Sequence, residues 1–101
     1  MAPTLYLILL TYTAPEAQIT AALEDHRAYL RRWYDAGKFL LSGPRIPATG
    51  GVIVARAASA AEAQGYVTDD PFHQRGLATH EVIPFVGLWS DPRLAPLLQE
   101  D

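Results

Sequence analysis

A chain of 101 residues carries eight Lys and Arg against eleven Asp and Glu, three histidines and no cysteine. That length sets the expectation of one domain over residues 1–101 with a modest core, and a composition that is half hydrophobic and 19% charged excludes a disordered chain. A net charge of −3 without a dense basic run excludes nucleic acid as the main partner, and the lack of cysteine excludes a disulfide framework, a thiolate nucleophile and a cysteine-based zinc site.

Residues 5–10 form an apolar run with no Lys or Arg before it, too short to cross a bilayer. Neither a signal peptide nor a membrane span is expected, and the expected compartment is the cytoplasm. Residues 4–12 read as a strand that is apolar on both faces, with Leu5, Leu7 and Leu9 on one and Tyr6, Ile8 and Leu10 on the other. Such a strand is covered on both sides. Pro15 opens a helix with Thr13 as a candidate cap, and Gly37 stops it after about Ala36. Residues 38–44 read as a short second strand broken by Gly43-Pro44, and residues 51–57 as a third. Ser59 caps a second helix with Glu62 in the capping-box position, and that helix ends near Asp69. Asp70-Pro71 starts one more helical turn. Residues 79–89 form a fourth strand, whose Pro84 suits an edge or a bulge. The tail from Ser90 to Asp101 packs as a short helix.

The order β-α-β-β-α-β with short connections predicts an α+β, ferredoxin-like fold. Its sheet has four antiparallel strands, both helices lie on one face, and the first and third strands are central. The other sheet face stays apolar with no element left to cover it. A homodimer through the sheet face is therefore expected.

On the first helix Ile19, Leu23, His26, Leu30 and Trp33 recur at steps of four, three, four and three. That is one face of a helix, so His26 belongs to the stripe that packs on the sheet. An imidazole there is either a satisfied core group or a catalyst. Asp70 before Pro71 is either an N-cap or a carboxylate held for chemistry. Asp69 reads as a solvated helix end. Ser42-Gly43-Pro44 is either a plain turn or a place where the backbone comes close to a ligand. His73 and His80 read as partly exposed. No metal is expected, because the histidines lack ligand spacing, and no cofactor, because no dinucleotide or phosphate-binding motif is present.

The segments "LLTYTAP", "HRAYLRRWYDAGKFLLSGP", "TGGVIVARAAS" and "DDPFHQRGLATHEVIPF" together resemble the YCII-related (YciI-like) family over about residues 6–85. The marks are His26, the Ser-Gly-Pro turn, the Gly-Gly before the third strand and Asp70-Pro71-Phe72. The resemblance implies a dimeric α+β barrel with a pocket between helices and sheet. It implies His26 and Asp70 as a catalytic pair, with Ser42, Gly43, Pro44, Phe72 and Tyr6 as substrate-binding candidates. A carboxylate beside a histidine orients the ring and stabilises its charged form, so the imidazole can exchange a proton with a small organic molecule. The expected function is a cofactor-independent lyase, isomerase or dehydrochlorinase acting on a small, aromatic-derived substrate. A non-catalytic ligand-binding or regulatory module and a cofactor-free oxygenase remain open alternatives.

Overall fold

A computed structural model describes residues 2–99. Strand β1 (Thr4–Tyr12), helix α1 (Glu16–Asp35) and strands β2 (Phe39–Pro44) and β3 (Gly50–Arg56) come first. Helix α2 (Ala60–Asp69), the single turn α3 (Pro71–Gln74), strand β4 (Ala78–Val86) and the short α4 (Ala95–Leu98) follow. The strands form one antiparallel sheet in the order β2-β3-β1-β4. This is the ferredoxin-like α+β fold, with β1 and β3 central. Pro84 lies on the edge strand β4, where a missing N–H is tolerated.

Strand register separates two faces. Tyr6, Ile8 and Leu10 of β1, Ile53 and Ala55 of β3 and Ala78 of β4 turn inward. They meet Ile19, Ala22 and Tyr29 of α1 and Tyr66 of α2 in one core. Each large apolar side chain so buried contributes about 1.5–3 kcal/mol. On the outer face Leu7 stands opposite Val54 on one side and Ile83 on the other, and Leu5 stands opposite Phe85. An apolar band therefore crosses the sheet, with Ile83, Phe85 and Leu41 exposed.

Several local features differ from the sequence reading. The buried stripe of α1 is Ile19, Ala22, His26 and Tyr29, with Leu23, Leu30 and Trp33 on its flanks. The helix is turned this way because Tyr29 reaches α2, where its hydroxyl donates to the Tyr66 carbonyl at 2.7 Å. Thr13 does not cap α1. Pro15 is the N-cap without a side-chain bond, and the Thr13 N–H donates to the Leu77 carbonyl. Strand β2 is not broken at Gly43-Pro44, because both residues pair with β3; its irregularity lies between Phe39 and Leu41. Ser59 caps α2 as expected, accepting from the Glu62 N–H at 3.1 Å. The Glu62 carboxylate accepts from the Tyr66 hydroxyl and pairs with Lys38.

Two glycines have a physical reason. Gly37 ends α1 with φ at 75°. At Gly50 a Cβ would stand 1.8 Å from the Leu10 carbonyl oxygen, so only glycine lets β3 close on β1 there. In the tail Leu98 of α4 is buried, and residues 100 and 101 lie outside the described part. No described helix is long and apolar enough to cross a membrane.

Candidate active site

Asp70 stands at the junction of α2 and α3, where Pro71 cannot continue the α2 ladder. Its Oδ1 accepts the Phe72 N–H at 2.9 Å, which is the N-cap contact. The same Oδ1 lies 2.8 Å from His26 Nδ1, and Oδ2 lies 2.9 Å from His80 Nε2. Capping and histidine contact thus coexist in one carboxylate, which is wholly buried.

An ionised carboxylate only accepts hydrogen bonds. Both facing ring nitrogens therefore donate, His26 through Nδ1 and His80 through Nε2. His80 Nδ1 is buried without a partner among the described residues. The His26 ring stacks on Phe72 with centroids 4.1 Å apart and planes 10° from parallel. Stacking on one side and the carboxylate at Nδ1 fix the ring. Its Nε2 has no hydrogen-bond partner among the described residues, and His26 lines a cleft.

Burial pushes the Asp70 carboxyl up, but the bonds from His26 and His80, the charge of His26 and the Phe72 N–H outweigh it and hold it down at about 2. The group's ordinary value is 3.8, so its folded form is more acidic than its unfolded form. The stability it contributes is fully present above the unfolded value and is lost as pH falls through the folded one. Between about pH 4 and pH 2 the wild type should lose about 2 kcal/mol that Asp70→Asn, with no carboxyl there, does not lose. Denaturant titrations of both proteins across that window check this. Equal acid sensitivity would mean that the carboxylate is not held in this way.

The cleft lies between α1 and the sheet and has a volume of about 340 Å³. Leu23, His26, Arg27 and Leu30 follow helical spacing and form one wall, with Leu10 and Tyr12 of β1 across from them. Ser42, Gly43 and Pro44 line it as well, and Ser42 Oγ is 2.6 Å from the Tyr34 hydroxyl. Phe72 is buried behind the His26 ring rather than in the lining. Tyr6 is a core residue and does not reach the cleft. It is four positions along β1 from Leu10, about 13 Å at the rise of an extended strand.

His80 corrects the sequence reading most. Expected to be partly exposed, its side chain is 1% exposed and bound to Asp70. Alternation along β4 carries the signal, since Ala78, His80 and Val82 share the inner face. His73 is exposed, its ring 5.7 Å from that of His80 and edge-on to it. Asp69 is not a free helix end. Its Oδ2 accepts from Trp33 Nε1 and from Arg32, both at 2.9 Å, and so ties α2 to α1. Tyr12 and Arg27 also line the cleft without having been singled out from the sequence.

Fold and site together define a small ferredoxin-like α+β protein with a ligand-sized cleft and a histidine–carboxylate pair at its wall. The YCII-related domain model matches residues 4–86, and the chain belongs to that family. Among solved structures, it is similar to the 5-chloro-2-hydroxyhydroquinone dehydrochlorinase of Burkholderia phenoliruptrix AC1100 in complex with 2,5-dihydroxybenzoquinone. The two share 24% identity and a TM-score of 0.65, over 88% of this chain and 96% of that one, a likeness of fold. No curated protein matches this chain in sequence.

Proposed function

We propose that this protein is a cytoplasmic, cofactor-independent enzyme of lyase or isomerase type that moves a proton on a small, aromatic-derived substrate. His26 is its general base and acid, and Asp70 orients it. The observation that carries the reading is the 2.8 Å contact between His26 Nδ1 and a fully buried carboxylate, in a ring that also lines a cleft. With Nδ1–H committed to Asp70, the lone pair of Nε2 faces the ligand. It takes a proton from a carbon or hydroxyl made acidic by a neighbouring carbonyl, and the carboxylate stabilises the imidazolium that forms. In an elimination, the electron pair of the broken C–H bond becomes a new double bond as a leaving group such as chloride departs with its own pair. In an isomerisation, the same proton returns to a different carbon. The reaction named for the structural neighbour, dehydrochlorination, is of this class. The cleft volume suits a ligand of one ring.

The test is a panel of chlorinated hydroxyquinols, β-halogenated ketones and unsaturated lactones. Proton NMR in D₂O follows exchange of substrate hydrogens, and chloride release is measured in parallel. The expected result is turnover or exchange that requires His26. Panel members that raise the melting temperature but show no His26-dependent chemistry would make the protein a binding module instead.

The proposal includes a homodimer joined through the outer sheet face. The support is the apolar band of Leu7, Leu9, Val54, Ile83 and Phe85 across that face. Sedimentation at micromolar concentration should give a dimer, and replacing Phe85 and Ile83 with Lys should give monomers. A wild type that sediments as a stable monomer would remove the dimer from the proposal.

A further inference from the structure

The cleft has a sign of charge. Among the described residues no Asp or Glu lines it, whereas Arg27 does, although the chain as a whole has a net charge of −3; the buried Asp70 carboxylate stands behind His26 and takes its Nδ1–H. Elsewhere cations meet carboxylates: Arg32 on Asp69, Lys38 on Glu62, Arg75 on Asp25 and Arg93 on Asp91. Arg45, which follows the lining residue Pro44, gives its N–H groups to Thr11 Oγ1 at 3.0 Å and the Leu10 carbonyl at 3.4 Å. The Arg27 side chain has no hydrogen bond or ion pair with any described residue. Its guanidinium offers five donors in a planar fork that matches a carboxylate. Arg31, one turn further along α1 and outside the lining, likewise has no carboxylate partner among the described residues. The walls are mostly apolar, with Leu10, Leu23, Leu30 and Ile53, while Arg27 is exposed at the rim, where solvent screens its charge in part.

We infer that the ligand of this cleft is an organic carboxylate of one-ring or lactone size, its carboxylate paired with Arg27 and its ring directed along the apolar walls toward His26. This names the substrate class for the proposed proton-transfer site and rests on that reading for the role of His26, but not for binding. Arg27 fixes one end of the ligand, so a hydrogen on the ring or on an adjoining carbon comes to Nε2. Arg27 is itself exposed, and what sets it apart from other surface arginines is its place in the cleft lining.

The probes are benzoate and its neutral counterpart benzamide, titrated into the full chain and followed by amide chemical shifts. The wild type should bind benzoate about ten-fold more tightly than benzamide, the effect of one charge-assisted bond. Shifts should centre on Tyr12, His26, Arg27 and Ser42. Arg27→Gln should abolish the preference by weakening benzoate alone, Arg27→Lys should keep part of it, and Arg31→Gln, outside the lining, should keep it. Added salt should weaken benzoate and spare benzamide. Equal affinities in the wild type, a preference intact in Arg27→Gln, benzoate shifts away from the cleft, or no binding of either probe would each overturn the inference. His26→Ala separates the two readings. Lost chemistry with the benzoate preference intact fits both, a preference without any chemistry sinks only the enzyme reading, and chemistry without a preference sinks only this inference.

Discussion

Replacing Asp70 with Ala should lower stability by about 3–5 kcal/mol, the range for removing one member of a buried, charge-assisted network. Three donors lose their acceptor at once: the Phe72 N–H, His26 Nδ1 and His80 Nε2. His80 has no second option, because its side chain is 1% exposed and its other ring nitrogen is already unpartnered. Water cannot readily take the place of the carboxylate in so closed a site. Asp70→Asn should cost less, about 1–2 kcal/mol. Its amide oxygen keeps the Phe72 cap and the His26 bond, and Asn caps about as well as Asp. Its NH₂ then faces His80 Nε2, and the bond survives only if that imidazole moves its hydrogen to Nδ1. Asn thus retains much of the fold while removing the charge that would stabilise an imidazolium at His26. Urea unfolding of the three proteins measures the difference. An Asp70→Ala variant within about 1 kcal/mol of wild type would reduce Asp70 to a simple cap.

The fold was legible because strand period and breakers agreed along the chain. The doubly apolar β1 and β3 required central places, and Pro84 required an edge. Gly37 and the Ser59 cap marked the ends of elements that the structure places within a residue or two. Helix rotation was harder to read. The alternation of leucines on α1 points to Leu23 and Leu30, yet Tyr29 and Ala22 take the buried stripe, because a tyrosine can bury its ring and still reach the Tyr66 carbonyl. That rotation frees Leu23 and Leu30 to form the cleft wall beside His26 and Arg27.

At the site, helix periodicity placed His26 and the Asp-Pro junction placed Asp70, but neither gave their contact. The contact joins positions 44 residues apart, and no local pattern encodes that distance. His80 is within reach of strand alternation, which sets it on the inner face with Ala78 and Val82, but nothing local in the sequence distinguishes it from an exposed histidine near a loop. Tyr6 failed for the converse reason. Tyr6 stands on the inner face, but a place on that face does not say which end of the sheet opens into a cleft. The cleft opens at the end of the sheet that carries Leu10, Tyr12, Ser42, Gly43 and Pro44.

His26→Ala should lower any proton-transfer rate by about a hundred- to ten-thousand-fold, the usual contribution of a positioned general base. It should also cost about 1–3 kcal/mol in stability, since it removes a ring stacked on Phe72 and a donor to Asp70. Stability loss alone can depress activity, so Ala does not isolate the chemistry. His26→Asn does. Its side-chain NH₂ can stand near the position of Nδ1 and donate to Asp70, yet it carries no basic nitrogen where Nε2 was. Asn should therefore recover part of the stability and none of the rate. Added imidazole should restore part of the rate in His26→Ala, whose vacated space lies between the Phe72 ring and the carboxylate, and much less in His26→Asn. These outcomes distinguish a base from a packing residue, because packing predicts that rate follows stability across the series. A His26→Asn protein that retains its rate would place the proton acceptor elsewhere and leave His26 as a core histidine satisfied by Asp70.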